Sequence, residues 1–401
     1  MEKIRIEIMP NQVFLNGDNT FDRDSAIKLS GKIAGVCYDE EGFNHIDKEP
    51  EEKTMRRVSR TINNGHHSVY DHVQISLNIM NIPKILAMVL NNEGQYSTSE
   101  KSARYTKVVK KEGSIITGLE EELYNKWLKI FRIKIKDIYG TQLSDSRIEK
   151  LAQENARYLV TVFMPTHMIY STSLRQINYI ASWMLKYIKS VETTVSTDFD
   201  KKLAGFMKEF VEALDNINVL DDRLMKNEKG RSLSLFGKDL SSKEEHFGDV
   251  YSTLYKGSFA QYAQAQRHRT LDYKLEMLDS KEYYVPPIIT DDLFLISEWL
   301  KDMESVRELT PQGEMVEIWE SGNYDNFILK CYERLCSGAQ LETMQQTRET
   351  LLRYLKSLEE SGSPLASDIK KYTYGARCTF PGYNCTERCN FNDGINLKRT
   401  I

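Results

Sequence analysis

The 401-residue chain lacks any long hydrophobic run. Its longest apolar stretch, IPKILAMVL from Ile82, contains Pro83 and Lys84, so no segment reads as a bilayer span. It also lacks an excess of one charge. The 54 Lys and Arg nearly cancel 58 Asp and Glu for a net charge of −4, which disfavours bulk capture of nucleic acid by a basic surface. The opening MEKIRIEIMP alternates charge with isoleucine and has no signal-peptide core. Six cysteines are too few for a disulfide framework in a chain of this size, yet five of them fall after residue 330, and that clustering needs a local reason. These features lead us to expect a cytoplasmic protein with neither membrane nor nucleic acid as a partner. What is present is globular: 40% apolar and 10% aromatic residues, and length for two or three domains.

Periodicity alternates between types. Ile4, Ile6 and Ile8 recur with period two, as do Val73, Ile75, Leu77 and Ile79, and both runs read as half-buried strands. Helices are expected from Glu51 to Asn64 before Gly65, from Leu119 to Tyr139 before Gly140, from Arg147 to Met164 before Pro165, from Ser173 to Lys189, and from Lys201 to Leu214. A polar, glycine-containing stretch from Asp221 to Gly248 is the best linker candidate. On either side of it the order of events is parallel: a histidine with a nearby acid, a strand, a helix, a polar motif, a proline and an amphipathic helix. The class is α+β with an internal duplication.

Four clusters carry chemistry. GHHSVYDHVQISLNI places His66, His67, Ser68, Asp71 and His72 before a strand; the histidines suit a metal, though structural histidines explain them as well. STSEKSARYTK, read as the end of the next helix, groups Ser97, Ser99, Glu100, Ser102, Arg104 and Tyr105. Hydroxyl donors and a guanidinium suit a phosphate beside a polar heterocycle, and a solvated loop has the same composition. AQAQRHRT sets Gln264, Arg267, His268 and Arg269 at a helix end, a cationic group able to clamp phosphate or to stabilise an anionic ring; an exposed basic face is the alternative. Finally, Cys378, Cys385 and Cys389, with Cys336 as the preferred fourth ligand, have the density of a thiolate site for zinc or, second, an iron–sulfur cluster, although C-x6-C-x3-C is not a standard knuckle.

The first two motifs together resemble the flavin-dependent thymidylate synthases, whose signature R-H-R-x-x-S-x-N-E-x-S-x-R-Y follows a histidine-containing strand entry. The resemblance covers roughly residues 60 to 190, with Arg157 before Pro165 and Ser173-Leu174-Arg175 at the family's flavin-binding N-x-R. The R-H-R is absent there, replaced by Asn92, Glu93 and Gly94. The second half is similar in the complementary way: Glu245-His246 precedes a strand, Gln264 to Arg269 matches Q-x-x-R-H-R, Arg307 precedes Pro311, and Arg334 stands five residues before Ala339-Gln340. The S-x-R-Y is gone from that half, and the family does not supply the cysteine tail.

The resemblance implies two tandem synthase-like domains, at 1–220 and 245–360, with a cysteine-containing tail at 361–401. Each would be a small sheet flanked by helices. It implies transfer of a one-carbon unit from methylenetetrahydrofolate to C5 of deoxyuridine monophosphate, with FAD as cofactor and NADPH as reductant. Hydroxymethylation of a related pyrimidine nucleotide and a non-catalytic nucleotide-binding scaffold stay open. By the same resemblance Arg334 stabilises the ionised pyrimidine. Glu100, Ser102, Arg104, Tyr105, Gln264, Arg267, Arg307 and Arg157 bind the nucleotide, and His72, Arg175, Arg267, His268 and Arg269 bind the flavin. A homodimer, a pseudo-tetramer of domains, is expected, with the Ser/Arg loop of the first half facing the R-H-R of the second.

Overall fold

The computed structural model describes residues 2–10, 12–102, 108, 115–226, 231–236, 240–386 and 388–401, with His268 described through its backbone. The chain divides into two compact units, Met1–Lys101 with Pro165–Gly237, and Ser102–Met164 with Lys238–Ile401. Elements are numbered in chain order.

The first unit is built on a four-stranded antiparallel sheet, β1 (Arg5–Ile8), β2 (Gln74–Pro83), β3 (Ser97–Glu100) and β4 (Pro165–Ser173), in the order β1-β2-β4-β3. The period-two isoleucines set the register: Ile6 and Ile8 of β1 and Ile75, Leu77 and Ile79 of β2 are buried, and their neighbours face outward. Helices α1 (Arg23–Ile33), α2 (Phe43–Ile46), α3 (Glu51–Asn63) and α4 (Lys84–Leu90) come from the first segment, and α7 (Leu174–Thr193), α8 (Asp198–Asn216) and α9 (Asp222–Met225) from the second. Helix α3 stops where Gly65 takes a φ of +70°.

The second unit opens with α5 (Gly118–Tyr139) and α6 (Asp145–Ala156). Its sheet contains β5 (His246–Phe247), β6 (Val250–Ser258), β7 (Asp272–Met277) and β8 (Met315–Asn323), antiparallel in the order β5-β6-β8-β7. Helices α10 (Phe259–Ala265), α11 (Leu293–Ser305), α12 (Tyr324–Arg334), α13 (Leu341–Glu360) and α14 (Leu365–Ile369) complete it. Trp127, Phe131 and Trp299 centre its core, the two indoles meeting edge to face at 4.8 Å. The Trp127 indole N–H donates to Asp302 at 2.7 Å, so the large ring is buried with its polar atom satisfied.

The structure departs from the sequence reading in four places. The helix expected to run to Met164 ends at Ala156, passes through a 3-10 turn at Arg157–Leu159, and Pro165 opens a strand. That strand, PTHMIYSTS, hides its alternation because Thr166, Thr172 and Ser173 occupy buried positions. Ser97–Glu100 is a strand, not a helix end, and carries no apolar side chain to announce it. Gly140 has a right-handed φ of −63°; a side chain there would meet the Lys136 carbonyl at 2.3 Å, so close approach explains the glycine. The polar stretch after Asp221 buries Leu233 and Leu235 in the first unit.

Candidate active site

In the first unit Asp71 organises the motif that precedes β2. Its Oδ1 accepts from Ser173 Oγ at 2.6 Å and from Arg175 Nε at 3.0 Å, and its Oδ2 pairs with Arg175 Nη2. Ser173 is also the N-cap of α7, accepting from the Gln176 N–H at 3.1 Å, so one hydroxyl joins the helix start to the carboxylate. The Arg175 guanidinium lies 5.7 Å from the centre of the Tyr179 ring. The two ring nitrogens of buried His67 meet the Tyr179 hydroxyl and the Ile62 carbonyl, each at 3.0 Å, which makes it a structural histidine; His66 and His72 are exposed.

Glu100, expected on the substrate, is buried and pairs with Lys84 at 2.5 Å; their side chains are 3% and 5% exposed. Ser102 is half-buried, and Arg104 and Tyr105 lie outside the described residues. Glu93, standing where the family has its R-H-R, is fully buried. It accepts from the Ser234 N–H at 2.6 Å and hydroxyl at 3.0 Å and from Arg231 at 3.2 Å. Burial pushes its carboxyl above the usual range, with these donors opposing the shift.

The second unit brings together residues that are far apart in sequence. Arg157 Nη2 donates to Gln340 Oε1 at 3.0 Å, the Gln340 N–H donates to Gln264 Oε1 at 2.9 Å, and Gln340 Nε2 donates to the Tyr158 hydroxyl at 2.6 Å. Tyr158 in turn donates to Glu342 at 2.9 Å, and Glu342 accepts from the Ser258 N–H and hydroxyl at 2.8 and 2.6 Å. The network is buried throughout, and burial raises the Glu342 carboxyl while the Ser258 donors hold it back. Arg157, Gln264 and the Ala339-Gln340 motif thus share one network. Tyr158, Ser258 and Glu342 were missed, because partners such as Tyr158 and Gln340 stand 182 positions apart and no local pattern links them.

The other arginines differ in setting. Arg267 and Arg269 are exposed where α10 unwinds, Arg269 with a φ of +61° unusual for a residue with a side chain; the His268 side chain lies outside the described residues. Buried Gln266 has neither amide atom partnered among the described residues. Arg307 pairs with Glu304 at 2.5 Å and Glu308 at 3.0 Å. Arg334 is half-buried at the end of α12, and its charge partly offsets the rise that burial causes in the Tyr273 hydroxyl.

The expected thiolate metal site is not supported. No disulfide joins the six cysteines, and among the described residues no three His, Cys, Asp or Glu side chains are arranged to hold a metal ion. Cys378 and Cys385 are exposed, Cys389 packs on the apolar core with its sulfur against Gly394, and Cys336 accepts from the Gly338 N–H at 3.3 Å. The thiols lie near one another: burial and the neighbouring Cys385, Cys389 and Cys336 raise the Cys378 thiol.

Residues 22–187 match the family model described as thymidylate synthase complementing protein. No curated protein matches the chain. Solved structures that align with it include two of flavin-dependent thymidylate synthase from Helicobacter pylori with FAD and dUMP. One is 17% identical over 48% of this chain and 89% of its own, the other 14% identical over 53% and 98%, each with a TM-score of 0.29. The family match spans α1, the histidine motif, β2, β4 and the Asp71–Arg175 pair. Over residues 22–187, less than half of its length, this chain is thus similar to the thymidylate synthase complementing protein family.

Proposed function

We propose that the protein is a flavin-dependent thymidylate synthase that transfers a one-carbon unit to C5 of deoxyuridine monophosphate. The observation that carries this reading is the family match over residues 22–187. The residues present suit FAD: Arg175 is oriented by Asp71, Arg267 and Arg269 stand exposed at a helix end, and Gln266 offers an unpartnered buried amide beside them. When bound, the flavin supplies the hydride that completes the methyl group. His72, Arg175, Arg267, His268 and Arg269 hold it. Glu100, Ser102, Arg104, Tyr105, Gln264, Arg267, Arg307 and Arg157 bind the nucleotide, and Arg334 stabilises the negative charge of the ionised pyrimidine, so no enzyme nucleophile is needed. Methylenetetrahydrofolate and NADPH are the co-substrates. The protein acts as a cytoplasmic homodimer.

Two tandem copies, at 1–220 and 245–360 followed by the tail at 361–401, account for the parallel numbering of the halves. Both sheets run first-second-fourth-third. Arg157 and Arg307 each open a 3-10 turn eight residues ahead of the fourth strand, at Pro165 and Met315. Ser173 and Asn323 each cap the helix that follows. Each copy keeps one motif, the Ser/Arg loop or the R-H-R, so both are needed for nucleotide binding. The scaffold reading has one observation in its favour, the engagement of Arg307 by two glutamates. Incubation with FAD, NADPH, methylenetetrahydrofolate and deoxyuridine monophosphate, followed by mass analysis, decides: thymidylate is expected, a hydroxymethyl product would move the reading to the related nucleotide chemistry, and no product with any reductant would favour the scaffold.

A further inference from the structure

The tail at 361–401 belongs to none of the motifs that carry this function, yet residues 391–401 lie against one of them. Phe391, Leu397, Arg399 and Ile401 are buried, and Phe391 and Ile401 join the apolar core of the second unit. The segment is anchored at both ends. Gln142 Oε1 accepts from the Asn392 N–H at 2.9 Å, and the Tyr139 hydroxyl accepts from the Thr400 N–H at 3.0 Å and meets the Thr400 hydroxyl at the same distance. Between these anchors Leu397 takes a φ of +58°, a left-handed turn that is unfavourable for leucine and persists because the contacts on either side fix the chain.

Arg399 is the residue that this segment delivers. Its guanidinium lies 5.3 Å from the centre of the Phe391 ring, which meets Tyr139 edge to face at 5.3 Å, and its Nη2 donates to the Ala339 carbonyl. The other side of that same peptide, the Gln340 N–H, donates to Gln264 at 2.9 Å. One peptide plane is thus gripped at its oxygen by a cation and at its nitrogen by an amide. From this plane the Gln340 side chain reaches Arg157 at 3.0 Å and Tyr158 at 2.6 Å. A charged donor on the carbonyl also polarises the peptide and strengthens the N–H that Gln264 accepts. A buried cation is costly, and an apolar side chain of this size would fill the same space more cheaply, so packing does not explain an arginine here.

We propose that Arg399 is a positioning residue of the nucleotide site. By holding the Ala339 carbonyl it fixes the Ala339-Gln340 peptide, and through that peptide the orientation of Gln264 and Arg157. The inference rests on the nucleotide reading of those two residues, and Arg399 itself is assigned no contact with the substrate.

Titration of deoxyuridine monophosphate into the FAD-reconstituted full chain, native and variant, tests it. Arg399→Met fills the space without donating, and should weaken nucleotide binding by about tenfold or more while leaving the FAD stoichiometry unchanged. Arg399→Lys keeps a cationic donor and should bind the nucleotide more tightly than Arg399→Met, a rescue that a space-filling role does not give. Without nucleotide, hydrogen exchange at the Gln340 amide should be faster in Arg399→Met than in the native chain. If Arg399→Met does not fold, Tyr139→Phe takes its place, since it loosens the anchor at Thr400 and leaves Arg399 intact; it should weaken binding in the same direction. The proposal is overturned if the folded variant binds the nucleotide as tightly as the native chain, or if Arg399→Lys binds no better than Arg399→Met. A native chain that binds no deoxyuridine monophosphate contradicts the nucleotide reading instead. Exchange at Gln340 then decides whether Arg399 holds the peptide, and an unchanged rate overturns that too.

Discussion

The two sheets share a strand order and differ in what they bury. In the first, Tyr170 of β4 sits four residues ahead of α7 with its hydroxyl on the Leu90 carbonyl at 3.1 Å and its ring stacked on Tyr96 at 5.4 Å. In the second, the residue in the same place relative to α12 is Glu320. It is fully buried, accepting from Tyr251 at 2.8 Å, Tyr255 at 3.0 Å and Lys330 at 2.5 Å. A neutral hydroxyl in one sheet has become an ion pair ringed by phenols in the other. Meanwhile the first sheet keeps its own pair, Lys84–Glu100, within the expected substrate motif. The same frame tolerates different polar cores provided every buried charge finds a partner.

Removing one member of each pair should break the comparison most sharply. Lys330→Met leaves Glu320 charged and buried, and should cost about 4 kcal/mol in urea unfolding. Lys84→Met should cost about 3 kcal/mol, because its site is slightly more open. A larger loss at Lys84 than at Lys330 would reverse the ranking. Next in size, Gln340→Ala strips partners from Arg157, Tyr158 and Gln264 at once and should destabilise by about 2 kcal/mol, read from the same unfolding curves. Helix caps give the finest comparison. Ser173→Ala and Asn323→Ala each delete an N-cap worth about 1 kcal/mol, and the serine should cost more because its hydroxyl also holds Asp71. Equal losses would mean that the Ser173–Asp71 bond contributes nothing.

Two glutamates of the first unit should respond oppositely to acid. The Arg57 guanidinium holds the Glu49 carboxyl down at about 2, against an ordinary 4.5, so its contribution to stability is present above the ordinary value and fades as pH falls toward 2. Burial raises Glu93, so its protonated form favours folding. That contribution is full below the ordinary pKa and is lost as pH rises through the raised value. Carboxyl carbon chemical shifts followed against pH should show Glu93 titrating first as acid is added and Glu49 last.

Much of the frame was legible in the sequence, and the reasons are local. β1 and β2 announce themselves because their isoleucines alternate against charged and polar neighbours, and α3 because Gly65 ends it. β3 was lost because it carries no apolar side chain, and β4 because buried threonines and a serine blur its hydrophobic period. The motifs found Arg157, Gln264 and Arg175, whose residue types suit phosphate and flavin. Tyr158, Ser258 and Glu342 join Arg157 and Gln264 only through folding, since their partners in the buried network stand far away in sequence. The cysteine cluster is legible as density in sequence, while in the structure Cys389 packs on apolar neighbours and Cys378 and Cys385 are exposed.

The claim that matters most is that the Asp71–Arg175 pair in the matched domain serves a flavin. Its most direct test is the visible spectrum of the purified full chain after reconstitution with FAD, compared with that of Arg175→Ala. The account predicts yellow protein with stoichiometric FAD for the native chain, and flavin affinity lowered by about tenfold or more in the variant. A native chain that stays colourless after reconstitution would contradict it.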